Sequence, residues 1–395
     1  MNQKEIAEIR KLFTKENSVL DRICGCYVDA NKQRLLEFRE AFLSLPEEEL
    51  YKYLDIFHKG LSGTLGKNLL NQSFSLDTEM QTEGPHSLLM QLRDSGLKDD
   101  DSISSLYEKV IASYDCPDNY LILLVHGMYD IPGRTKDGIA MDDASEYVYS
   151  FVICCLCPVV LDKAALCYDA EAERITNRTR SWLVGMPQQS FLFPAFNDRN
   201  TDIHSLLYYT KDPEGISSGI MCDILGCEQP ATAGEVKGSF QALVESTLGD
   251  ACSFEAVRDV TESLTELVET AKNEPDPAVL DKASLRHILT DSGAPLETLS
   301  EFDDSYEEAI GVRTSVPVKN LINTSQLEVK TPDVVVKVKA DRQELVETRV
   351  IDGRPCLVIA LSDDVEVNGI HIVMPGTKGS RAAAPDTETS EAGEE

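Results

Sequence analysis

The chain opens on a helical pattern, with Ile6, Ile9, Leu12 and Phe13 on one face of residues 3–16. A short strand is predicted around 21–28, closed by the turn residues Asp29-Ala30-Asn31-Lys32. Ser44-Leu45-Pro46-Glu47 has the form of a capping box. It predicts a helix through Leu50, Leu54, Phe57 and Leu61, broken by Gly60, Gly63 and Gly66. Helices follow at 86–94 and 102–114, then a buried strand at 119–126 with the run Tyr-Leu-Ile-Leu-Leu-Val. Residues 144–157 fit helix or strand equally. Residues 173–184 and 189–196 read as strands.

Lys211–Gly238 is rich in Gly, Pro and Ala and marks a boundary. Residues 253–271 form an amphipathic helix capped by Ser253, with Phe254, Val257, Leu264, Leu267, Val268 and Ala271 on its apolar face. Two shorter helices are expected near 279–290 and 297–309. The final part reads as β: a strand at 334–339, an Asp352-Gly353 hairpin, and one strand over Val365–Val373 with a kink at Asn368-Gly369. The predicted fold is α+β. An N-terminal α/β domain with a mixed or antiparallel sheet spans 1–215. A linker (216–238), an acidic helical segment (239–311), a small β-rich unit (312–374) and a disordered acidic tail (375–395) follow.

Charge narrows the possible partners. The 395 residues carry 37 basic and 68 acidic side chains, a net charge of -31. Such a chain is repelled on average by phosphate and by anionic membranes, which disfavours nucleic acid as a partner. The charge is uneven: 250–311 hold sixteen acids and four bases, whereas 170–211 hold four acids and five bases. The eleven cysteines are odd in number and no secretory signal is evident, so reduced thiols and a cytoplasmic location are expected. The sequons at Asn71, Asn177 and Asn323 are then chance matches. No apolar run approaches the roughly 20 residues of a membrane span, so no membrane partner is expected.

Several stretches carry chemical motifs out of context. Gly60–Asn68 resembles a phosphate loop, but Leu61 and Asn68 occupy positions that need Gly and Ser or Thr. Gly215-Ile216-Ser217-Ser218-Gly219 matches a nucleophile elbow without the preceding strand. Cys24 with Cys26, the group Cys154, Cys155 and Cys157, and Cys222 with Cys227 are clustered, yet the central three lie in an apolar run where thiols pack as small hydrophobes. No metal or cofactor is expected. His126 ends a strand, where α/β units often carry sites, but a lone histidine there more often serves structure. The most chemical segment is Asn197–His204. As a loop it could bring Asp198, Asp202 and His204 together as acid, base or metal ligands. The plainer reading is a strand, a polar turn and a helix capped by Thr201 or Asp202, with Arg199 neutralising an aspartate. Arg174, Arg178 and Arg180, on one strand face beside Trp182 and with Arg199 nearby, could grip phosphate or a protein partner.

Several segments resemble an uncharacterised clostridial-type bacterial family named only as a domain of unknown function. They are Asn2–Arg10, Arg22–Val28, Leu61–Asn68, Asn119–Leu124, Phe191–Tyr209, Val346–Gly353 and Val365–Gly369. The resemblance implies no catalytic residues. A weaker one, through Leu106-Tyr107 and Asn119–Leu124, is to the nucleoid-associated thirty-seven-kilodalton proteins. With no catalytic motif in its proper context, the reading leans against an enzyme. A non-enzymatic cytosolic interaction or adaptor protein is expected. The alternatives are a nucleoid- or RNA-associated protein and a metal-dependent hydrolase using Asp198, Asp202 and His204. Oligomeric state is not encoded in any of these patterns.

Overall fold

The computed structural model describes residues 1–14, 18–134, 140–274, 277–311, 316–361, 365–367 and 369–372. The strands of its first half are β1 (Leu20–Val28), β2 (Arg34–Ala41), β3 (Leu69–Ser73), β4 (Asn119–Arg134), β5 (Ala140–Leu161), β6 (Leu166–Asp169), β7 (Arg174–Asn177), β8 (Trp182–Val184), β9 (Gln189–Phe193), β10 (Ala195–Asn197), β11 (Asn200–Asp202) and β12 (Ser205–Thr210). Eight of them make one sheet in the order β2-β1-β4-β5-β9-β12-β3, with β8 also on β5. Every neighbouring pair is antiparallel. β5 therefore settles 144–157 as strand.

Helices cover both faces of this sheet. They are α1 (Gln3–Lys11), α2 (Glu47–Gly60), α3 (Leu76–Met80), α4 (Pro85–Asp94) and α5 (Asp100–Ser113). α1 and α2 pack Ile6, Ile9, Leu54 and Phe57 against Leu121, Leu123, Val125 and Cys155. α4 and α5 pack Leu89, Leu92, Ile103 and Leu106 against Ile122, Leu124, Val152 and Cys154 on the other face. Successive residues of β4 thus enter different cores. Two-sided burial explains why its sequence is apolar without alternation, a pattern usually met in parallel sheets.

Two local expectations differ from the structure. α2 begins after Pro46 with no side-chain cap, and the Ser44 hydroxyl instead donates to the Ala41 carbonyl at 2.7 Å. The capping boxes are at Asn2–Glu5 and Thr232–Glu235. Within the stretch expected as a linker, Gly219–Ile224 forms a helical turn whose Ile220, Met221 and Ile224 join the α4–α5 core.

The second half is built from α6 (Ala233–Leu248), α7 (Phe254–Thr270), β13 (Val279–Leu280), α8 (Lys282–Asp291), α9 (Leu296–Ala309), β14 (Val316–Pro317) and α10 (Val318–Leu321). α6 begins inside the expected linker. These elements share a core of their own, including Phe240, Leu243, Leu264, Leu285, Leu289 and Phe302. On α7 the buried positions are Ala256, Val260, Leu264 and Val268. Val257, expected on the apolar face, is exposed.

Three hairpins complete the described chain: β15 (Gln326–Lys330) with β16 (Val335–Lys339), β17 (Val346–Ile351) with β18 (Arg354–Ile359), and β19 (Val365–Val367) with β20 (Ile370–Ile372). Asp352 and Gly353 turn the second with positive φ values of 51° and 74°, as the sequence predicts. The single strand expected over Val365–Val373 is the third hairpin. Gly369 turns back with φ 83°, and Asn368 lies outside the described residues. The tail expected at 375–395 also lies outside them.

Candidate functional site

The Asn197–His204 segment is a strand, a turn and a strand. β10 pairs with β11 so that Asn197 faces Asn200, and Asp198 and Arg199 form the turn at φ 51° and 54°. The helix expected after the turn is β11 and then β12. Asp202 accepts bonds from the Asn197 amide (2.6 Å), the His204 backbone N–H (3.0 Å) and the Ser205 hydroxyl. Partial burial resists its ionisation, but these three donors hold its pKa below the usual carboxylate value. His204 is exposed and turns to Glu79, Nδ1 to Oε1 at 2.9 Å, which raises its pKa. Arg199 does not neutralise an aspartate. It grips the Glu8 carboxylate of α1 through Nη2 at 2.9 Å and Nε at 3.1 Å, and the Tyr129 hydroxyl donates to the same group at 2.9 Å.

Asp198 and Asp202 do share a space. Both line a cleft of about 1030 Å³ between β3, the start of α1 and the beginning of α6, with Glu5, Asn71 and Asn320. The Asn320 amide crosses to the Gly66 carbonyl at 2.7 Å, tying the helical unit to the sheet. His204 does not line the cleft, so the three residues do not converge. Among the described residues no group of three or more His, Cys, Asp or Glu side chains is placed to hold a metal ion.

The arginine group is also rearranged. Arg174 lies on β7, but Arg178 and Arg180 fall beyond its end, so they do not share one strand face. Both converge on Asp162: Arg178 pairs with its carboxylate, and Arg180 Nε donates to its carbonyl at 2.7 Å. Trp182 stands on β8 opposite Leu161 and is 55% exposed. Between β5 and β8, β6 and β7 form a two-stranded arm. Tyr168 pairs with Ile175, and with Leu166 they make an exposed apolar face. Arg174 belongs to the opposite face, with Cys167 and Thr176. Sequence reading passed over Leu166 and Tyr168; their spacing of two was the only local signal.

The motif-like stretches resolve into structure. In Gly60–Asn68 the N–H groups of Lys67 and Asn68 donate to the Thr64 carbonyl at 3.1 and 2.9 Å, and that of Gly66 donates to Leu69, so the loop spends its donors on itself. Ser217 sits before the Gly219–Ile224 turn and accepts from Ile220 N–H at 3.4 Å, and β12 ends at Thr210, so no strand runs directly into it. Cys24, Cys26, Cys154, Cys155 and Cys157 are buried in the sheet. Burial pushes the Cys24 and Cys26 thiols up to about 11 and Cys157 to about 12.

His126 is buried, with Nδ1 2.7 Å from Asp21 Oδ1 and Nε2 2.9 Å from Ser150 Oγ. Sequence reading found the histidine but neither partner, because each comes from a different strand. Among the described residues no helix is long and apolar enough to cross a membrane.

No curated protein matches the chain. A family described as a domain of unknown function (DUF4317) matches residues 1–370, nearly the whole length, and the chain belongs to that family.

Proposed function

We propose that this is a cytosolic interaction or adaptor protein, and that the β6–β7 arm with β8 is its docking element. The observation that carries this is the exposed apolar face of Leu166, Tyr168 and Ile175. A two-stranded hairpin alone is marginally stable in water. Exposed apolar clusters on soluble proteins commonly mark interaction surfaces. A partner with an apolar groove would bury this face and stiffen the arm together. Reduced, core-packed thiols support a reducing compartment.

Trp182, on β8 beside the arm, is the only tryptophan, so the chain's own tryptophan emission reports on this part of the molecule. Gently purified native protein should run as a stoichiometric complex with a blue-shifted Trp182 emission. Tyr168→Asp with Ile175→Asp should release the partner and leave the fold unchanged. A wild-type chain that stays free under the same conditions refutes the proposal.

A second reading, association with nucleic acid, draws on Arg174, Arg178, Arg180 and Trp182 in one segment. The engagement of Arg178 and Arg180 by Asp162 counts against it. Its signature is co-purifying nucleic acid lost steeply with salt. The metal-dependent hydrolase reading keeps Asp198 and Asp202 in one cleft and loses His204 to Glu79. Metal-dependent turnover abolished by Asp198→Ala with Asp202→Ala, at unchanged stability, would revive it.

A further inference from the structure

We propose that Asp21 orients His126 as the base that makes Ser150 a nucleophile toward esters with an apolar acyl chain. Three adjacent strands build it. Asp21 is on β1, His126 on β4 and Ser150 on β5. The β1–β4 register slips between Leu20 and Arg22, so Asp21 is the extra residue of a bulge. Such bulges re-aim a side chain, and here the carboxylate reaches the imidazole at 2.7 Å. A carboxylate only accepts, so Nδ1 carries the ring proton. In the neutral ring Nε2 is then the acceptor, and the Ser150 hydroxyl donates to it at 2.9 Å. This is the order of groups that activates a serine: orienting carboxylate, base, nucleophile.

The surroundings fit a reacting group. His126 is 3% exposed, held between the sheet and the loop after α4. There Gly96, at φ 59°, lies beside the ring, where a β-carbon would be in van der Waals contact with the imidazole Cε1 at 3.6 Å. Ser150 is only half-buried. Met128, opposite it in register, and Val148, two residues before it, share its face and are exposed. An acyl chain laid over Met128 and Val148 would bring its carbonyl to Ser150 Oγ.

In the reaction the Oγ–H proton passes to Nε2 as Oγ bonds to the acyl carbon. The C–O bond to the leaving alcohol breaks, and that oxygen takes the proton from Nε2. Water, activated by the same base, then releases the carboxylic acid and restores the serine.

The test is covalent labelling of the full-length protein with an alkyl fluorophosphonate. The Ser150 Oγ–P bond forms, fluoride leaves, and the serine proton passes through His126 to solvent. One adduct is expected by intact mass, mapping to Ser150 and absent in Ser150→Ala. Asp21 is 40% exposed, so Asp21→Asn should keep the fold, checked by its thermal melt, yet slow labelling about 100-fold or more. A histidine serving structure alone would leave Ser150 unlabelled. A folded wild-type protein without a Ser150 adduct, or an Asp21→Asn variant labelled as fast as wild type, overturns the proposal.

Discussion

A β-carbon on Gly219 would lie 2.2 Å from the Ser113 backbone carbonyl oxygen at the end of α5. Neither backbone can yield locally, so Gly219→Ala should destabilise the first half by about 1–3 kcal/mol in urea unfolding. Gly238, inside α6, meets nothing within 4 Å. There Gly238→Ala should stabilise by about 0.8–1 kcal/mol, because alanine restricts the unfolded chain and favours helix. The pair makes one amino-acid change act with opposite signs. Asp202 adds a pH dependence at the same scale. Its folded pKa is lowered, so its stabilisation is complete above the ordinary carboxylate value and is lost as pH falls through the folded one. Asp202→Asn should therefore flatten the acid side of a melting-temperature profile and lower the plateau at neutral pH.

At the scale of elements, β1 and β5 are the informative strands. They place Cys24, Cys26 and Cys154 in the α4–α5 core, and Cys155 and Cys157 in the α1–α2 core. Raised pKa values and burial make these thiols poor nucleophiles. A thiol reagent at neutral pH should modify exposed Cys222 and Cys252 quickly, and these five only as the protein unfolds. Mass mapping of the modified peptides reads the outcome. The β17–β18 hairpin shows how much a short motif can specify. Asp352-Gly353 adopts the two positive φ values that such a turn requires, and the register runs outward from Ile351 opposite Arg354. The Asn197–His204 segment shows the opposite. Its turn residues, Asp198 and Arg199, carry no glycine to announce a positive φ, so the second strand was missed.

Across the whole molecule the apolar side chains fall into separate cores. The sheet has one on each face, and α6 to α10 enclose another. Leu264 is fully buried in the helical core and contacts neither face of the sheet. Leu264→Ala should cost about 2–5 kcal/mol. In calorimetry it should lower the transition of the helical unit and leave that of the sheet unit in place. A single transition moving as a whole would mean that contacts such as Asn320 to Gly66 couple the two units strongly.

What the sequence determined by itself is local. Periodicity located most of the helices of both halves, the Ser253 cap and the Asp352-Gly353 turn, since each depends on residues within a few positions of one another. It also divided the chain into sheet, helical and hairpin regions. Whether 144–157 was strand or helix rested on cover from both sides, which comes from helices up to about 150 residues away in the chain. Tertiary structure alone set the antiparallel strand order, sent His204 to Glu79 and Arg199 to Glu8, and gathered Arg178 and Arg180 on Asp162. It also brought Asp21 and Ser150 to His126 across sequence separations of 105 and 24 residues. Pairing at that range depends on sheet register and on a one-residue bulge, and neither leaves a periodic trace along the chain.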